Sequence, residues 1–431
     1  LKSFPIERAF SLRRNFSWTL AGNIFYSVCQ WGMLILLAKL GTPDMVGEFT
    51  LALAITAPLF MFSNLQLRVV QATDAQADYT FDDYLGLRLI ASLLALISLL
   101  LILLVLPYES LTKLVILTIG IAKALESISD ICYGLMQQQE RMDFVSISLI
   151  IKGALSLLLL TIGLVVTKQV LGGAVGLAIA WAIVLLSHDL RVTRRLLKIF
   201  WGQDLQKFSL AWKWSTQQQL IRLTLPLGVV MLLISLNANL PRYFIEHYLA
   251  SHELGIFAAI AYLMLVGSII QGALAQAASP RLAKYYAEGR RKAFASLIFN
   301  LMGVGLLMGA VGVVISWLFG KQILTLLYQA EYSQYSTLLI WLMVCAALEY
   351  IASFLGTGIT AARYFRVQVP LFAASAVMTA IACFILIPTQ GLMGIPLAMI
   401  VTALLRIVLC FAVLAHALKT CQSPESTPIL L

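Results

Sequence analysis

Charge is scarce in this sequence. Of its 431 residues only 12% are charged, against about 25% in an ordinary soluble chain, and 61% are hydrophobic. With a mean hydropathy of +0.91, such a chain would expose more apolar surface than a monomer in water tolerates, which excludes a soluble enzyme. Histidine is nearly absent, at four residues, and the six cysteines (Cys29, Cys132, Cys345, Cys383, Cys410, Cys421) are scattered, most of them inside apolar runs. They form no CxxC or Cys/His cluster, so a zinc site, a redox pair and a disulfide framework are all disfavoured, and no cofactor is expected. A Walker loop, HExxH, GxSxG and DxD-like metal motifs are missing too. No loop is much longer than 30 residues, too little for the extramembrane catalytic domain of a membrane glycosyltransferase or ligase, so no enzyme is expected.

What the chain has is apolar runs, each near the roughly 20 residues that cross a bilayer as a helix. They lie at 17–39, 47–67, 85–106, 111–136, 146–166, 171–189, 219–240, 253–275, 296–319, 335–357, 369–388 and 391–416. The expected fold is an all-α polytopic membrane protein of about twelve spans. Turn signals such as Gly41-Thr-Pro-Asp44 and Pro388-Thr-Gln-Gly391 fall between the runs. The net charge of +10 comes from basic residues gathered in a few loops, a pattern of membrane orientation and not of nucleic-acid binding. With the N-terminus placed in the cytoplasm, 21 basic residues fall on the inner side and five on the outer. Both termini are therefore expected to be cytoplasmic, and the basic stretch LKSFPIERAFSLRRNFSW reads as a lead-in to the first span.

An internal repeat organises the spans. LGTPDMVGEFTLALAITAPL (40–59) resembles LASHELGIFAAIAYLM (249–264), Ala124-Leu-Glu126 matches Ala347-Leu-Glu349, and Gly173-Ala-Val-Gly176 matches Gly391-Leu-Met-Gly394. The matches keep their order at offsets of 208, 223 and 218 residues, as a duplication would leave them. Six spans per repeat return the chain to its starting side, so two like-oriented six-helix lobes around a central cavity are expected. The lobes are assigned to 1–189 and 219–418, with 190–218 as a basic cytoplasmic linker and 419–431 as a cytoplasmic tail. The KFSLAWKWSTQQ portion of the linker (207–218) suits either a membrane-surface segment or a solvated one.

Charge inside spans is costly, about 2.5–3.5 kcal/mol for a residue at a helix centre, so such residues should face water or one another. Lys123, Glu126 and Asp130 share one helical face by their spacing. That stripe either lines a cavity or neutralises itself between helices. Glu349, the repeat mate of Glu126, is open to the same two readings, as an ion-coupling carboxylate or a structural contact. Lys152 and Arg406 are the better candidates for binding an anion, while Arg222, near a span end, can also snorkel to the interface. Pro226, in the seventh span, suggests a bend.

The runs GEFTLALAITAPL, ELGIFAAIAYLM, QAASPRLAKYYAEGRRKAF (276–294) and GLMQQQERMDF (134–144) resemble the polysaccharide flippases. These are the Wzx-like exporters of lipid-linked oligosaccharide within the multidrug/oligosaccharidyl-lipid/polysaccharide superfamily. The resemblance covers nearly the whole chain. It implies a bacterial inner-membrane transporter that works by ion-coupled alternating access. The implied cargo is an undecaprenyl-diphosphate-linked oligosaccharide, carried from the cytoplasmic to the periplasmic leaflet for O-antigen or exopolysaccharide synthesis. It further implies a cationic substrate cavity, to which Lys123, Lys152, Arg222 and Arg406 would contribute. Coupling to proton or sodium would fall to Glu126, Asp130 or Glu349. The partners implied are membrane lipid, a glycan polymerase and glycosyltransferases. The alternatives are a drug or metabolite antiporter on the same fold and a polymerase or ligase of lipid-linked glycans. A major-facilitator transporter is disfavoured because QATDAQADYTFDDY (71–84) is acidic where that family carries a basic motif.

Overall fold

A computed structural model of the chain describes residues 11–74, 78–201 and 214–420. Residues 202–213 of the linker, including 207–213 of KFSLAWKWSTQQ, and the tail from Cys421 lie outside the described residues, as do the first ten residues.

Among the described residues the regular structure is helical: α1 (Leu12–Leu40), α2 (Pro43–Ser63), α3 (Leu67–Thr73), α4 (Phe81–Val105), α5 (Ser110–Gln138), α6 (Met142–Thr167) and α7 (Val170–Val184) come first. A π turn (Leu185–Asp189) leads into α8 (Leu190–Trp201). Then follow α9 (Trp214–Ala261), α10 (Met264–Ala287), α11 (Arg291–Leu327), α12 (Ser336–Ala361), α13 (Gln368–Gln390) and α14 (Gly394–Thr420). Helices satisfy every backbone polar group internally, which lipid demands. Twelve of them have 15 residues or more, in keeping with the twelve expected spans. Judged by length and composition alone, nine stretches among the described residues qualify as membrane-crossing, because Gln368–Lys419 counts α13 and α14 together and α5 and α10 are left out.

Burial is inverted relative to a soluble protein. Leu104, Val166, Trp317 and Val408 are exposed, whereas Arg88, Arg141 and Lys152 are among the largest fully buried side chains. Lipid is the solvent that makes both facts favourable.

The chain divides into two compact units, Leu1–Ser235 and Leu236–Leu431. The division falls inside α9, beyond the 190–218 segment that composition marks as a linker. The first part of α9 packs on the first unit, where the Gln217 side chain donates to the Asp83 carbonyl. In that unit Leu67, Tyr84, Ile131 and Leu196 belong to one apolar core; in the second, Phe294, Phe354 and Leu414 anchor another. Helices α6 and α7 meet at glycines: a Cβ at Gly176 would lie 2.2 Å from the Leu159 carbonyl oxygen, so no larger residue fits that crossing.

Local chemistry explains several features of the sequence. The acidic stretch before α4 builds a capping box, in which Thr80 Oγ1 accepts from the Asp83 amide and Asp83 accepts from the Thr80 amide. Asp74 accepts from the Asp78 and Tyr79 amides. The break in α9 is at Ala250 (φ 69°, ψ 178°) and not at Pro226. That backbone region is nearly exclusive to glycine. Arg68, Arg88 and Arg141, counted above with inner loops, lie in or beside helices and hold buried or half-buried carboxylates. They have structural partners of their own, and membrane sidedness rests on the remaining basic residues.

Candidate functional site

The i, i+3, i+7 stripe on α5 is the spine of a charge network in the first unit. Lys123 Nζ lies 2.8 Å from Glu126 Oε2, an ion pair along one helix. Tyr26 on α1 donates to the other Glu126 oxygen at 3.4 Å. One helical turn on, Asp130 receives two arginines, Arg68 of α3 at 3.4 Å and Arg88 of α4 at 3.0 Å. Arg88 is fully buried and also donates to Asn64, whose Oδ1 accepts from Ser127 at 2.9 Å. A buried guanidinium needs such a set of acceptors to offset its lost hydration.

Lys152 enters the same network from α6. It is 1% exposed, and its ammonium has no hydrogen-bond partner among the described residues. It sits instead over two aromatic rings, 5.1 Å from the centroid of Tyr133 and 5.8 Å from that of Trp181. Trp181 also faces Lys123 at 5.2 Å and is fixed by its indole N–H donating to Ser156 at 2.9 Å. Ring faces attract cations without neutralising them.

A hydroxyl chain continues from Tyr133. Its phenol shares a 2.7 Å hydrogen bond with Ser148, and the Ser148 hydroxyl donates to Asp189 at 2.5 Å. Asp189 is fully buried on the π turn between α7 and α8, with His188 Nδ1 at 3.1 Å. One extra residue per turn re-aims a side chain, and π turns recur at functional positions for that reason. In all, four cations (Arg68, Arg88, Lys123, Lys152) share this region with three carboxylates (Glu126, Asp130, Asp189).

The second unit holds a smaller arrangement. Arg406 on α14 pairs with Glu349 on α12. The two repeat-related glutamates are therefore both ion-paired, Glu126 within its own helix and Glu349 across helices. Arg222 is exposed on α9 and has no ion pair among the described residues.

Of the residues singled out from sequence, Lys123, Glu126, Asp130 and Lys152 come together, and Glu349 meets Arg406. Sequence reasoning missed Arg88, Asp189, Tyr133 and Trp181. Arg88 had a usable signal, a lone arginine eight residues into an apolar helix. Asp189 had none, since only the π turn directs it inward.

The chain is 28% identical over 402 residues to the capsular polysaccharide biosynthesis protein CapF of Staphylococcus aureus, covering 92% of this chain and 97% of that one. Its fold is similar to that of the lipid II flippase MurJ in an inward closed conformation, with a TM-score of 0.71, 13% identity and coverage of 94% and 91%. It is also similar to an inward-facing MATE-family multidrug transporter of the MOP superfamily, with a TM-score of 0.69, 13% identity and coverage of 94% and 96%. Residues 12–286 match the family model described as polysaccharide biosynthesis protein, so that, with more than half of its length inside the match, the chain belongs to the polysaccharide biosynthesis protein family.

Proposed function

We propose that the protein is a flippase that carries a polyprenyl-diphosphate-linked oligosaccharide across the bacterial inner membrane, from the cytoplasmic to the outer leaflet. A repeat unit for a capsular or related exopolysaccharide is the cargo that fits best. Family membership and the flippase-like fold support the transport class. The observation that carries the cargo is Lys152, a buried ammonium seated on aromatic rings with no carboxylate in hydrogen-bond contact. A diphosphate moving through low dielectric needs uncommitted positive charge of this kind. Lys123 is matched by a carboxylate and would reach an anion by exchanging that partner for it, while Arg406, paired with Glu349 on a neighbouring helix, is left out of the anion path. Arg222, exposed on α9, would meet the anion nearer the interface. The rival antiporter reading calls for a site rich in carboxylates and poor in cations, whereas the first unit's network sets four cations against three carboxylates.

Ion coupling, by proton or sodium, falls in this proposal to Glu126 and Glu349, each held by a single basic residue. Asp130, held between two arginines, is the weaker coupling candidate and serves the network.

The test is reconstitution. Purified protein in liposomes should speed the movement of fluorescent undecaprenyl-diphosphate oligosaccharide between leaflets, read by quenching with an impermeant reductant. Movement no faster than in protein-free vesicles would remove the proposal.

A further inference from the structure

The second unit contains a cleft of about 490 Å³ that the charge network does not touch. Its volume lies within the roughly 300–1,000 Å³ of small-molecule sites. Helices α10, α12, α13 and α14 form its walls, and the Arg406–Glu349 pair lies among them. The remaining polar lining is neutral: Gln276, Ser279, Ser353, Thr357, Thr360 and Gln368. Phe372 and Leu371 add an apolar face.

Charge and hydrogen-bonding capacity together restrict the ligand. Arg406 is matched by Glu349, so the cleft has no surplus charge with which to hold a diphosphate. Thr357 and Thr360 donate back to carbonyls of their own helix, at 3.0 Å each, and their oxygens keep lone pairs for an incoming hydroxyl. Gln276 is exposed, with both amide hydrogens and its carbonyl available. Neutral donors and acceptors facing an apolar ring are what a polyol with C–H faces requires.

Resting on the flippase reading above, we infer that this cleft is a subsite for the uncharged sugar residues of the cargo, separate from the cationic network that takes its diphosphate. Affinity for the sugars comes from neutral hydrogen bonds, and the Arg406–Glu349 pair stays intact as a source of both donors and acceptors.

Gly356 supplies the test. It lines the cleft, and a Cβ built on it meets nothing within 4 Å, so a side chain there starts in open space at the cleft wall. Gly303 on α11 is exposed, has equally open space and lies outside the cleft, which makes it the control. The full chain in lipid nanodiscs would be titrated with undecaprenyl diphosphate and with the same lipid carrying a neutral hexosamine disaccharide. Gly356→Phe should weaken binding of the disaccharide lipid by about tenfold while leaving the bare lipid within about twofold, and Gly303→Phe should change neither. Gln276→Leu with Ser353→Ala, which removes polar groups without adding bulk, should reproduce the selective loss. If both lipids bind the unmodified protein and every variant treats them alike, the glycan subsite is overturned and the flippase reading stands. If neither lipid binds the unmodified protein, both readings fall together.

Discussion

Lys152 and Arg88 are both buried cations, yet their surroundings give them different work. Arg88 is paired, with Asp130 and Asn64 accepting from its two terminal nitrogens, although its Nε has no partner among the described residues. Removing one partner of a buried pair leaves the other charge uncompensated, at a cost of about 3–5 kcal/mol. Arg88→Met should therefore lower the thermal stability of the purified protein clearly, and Asp130→Asn added to it should recover part of the loss. Lys152 has ring faces and no hydrogen-bond partner among the described residues, and the proposed function gives its charge to an anion. Lys152→Met should cut glycan export at least about tenfold, equivalent to about 1.4 kcal/mol of lost stabilisation, with membrane abundance near that of the unsubstituted protein. Export at the original level would show that the ammonium only fills space.

At the scale of elements, the turn within α9 is under strain. Ala250 adopts φ 69° and ψ 178°, a conformation that costs a non-glycine residue of order 1–3 kcal/mol. Glycine gives back part of that gain through its greater freedom in the unfolded chain. Ala250→Gly should still raise stability by about 1 kcal/mol, seen as a higher melting temperature in detergent; a lower one would mean that the alanine methyl makes contacts worth more than the strain. LASHELGIF is legible in sequence as a turn between two spans. Its strained residue is not, because alanine carries no turn signal of its own. Pro226 carries one, yet α9 is not interrupted there.

For the whole molecule, the two repeat-related glutamates offer a test of coupling. Glu126→Gln with Glu349→Gln should flatten the dependence of reconstituted transport on pH or sodium. Full ion dependence in the double variant would assign both carboxylates to structure alone. Both residues stand in matching sequence contexts, but one neutralises a lysine three residues away and the other an arginine on a separate helix. The carboxylate recurs in both contexts, and its basic partner differs. Reconstitution would need the full chain, since α9 belongs to both units.

The sequence by itself determined the class of solvent, the helical architecture, the number of long helices and the stripe on α5. All of these follow from composition and from periodicities of 3.6 and about 20 residues, which need no knowledge of neighbours. Tertiary structure alone decided which charges are spent and which are available. Asp130 looked like one end of a helical stripe until α3, α4 and α5 brought Arg68 and Arg88 to it. Asp189 looked like a span-end residue until the π turn faced it toward Ser148. Arg406 looked unopposed until α12 packed beside α14. An ion pair between helices depends on distances set by packing, and no local pattern encodes it.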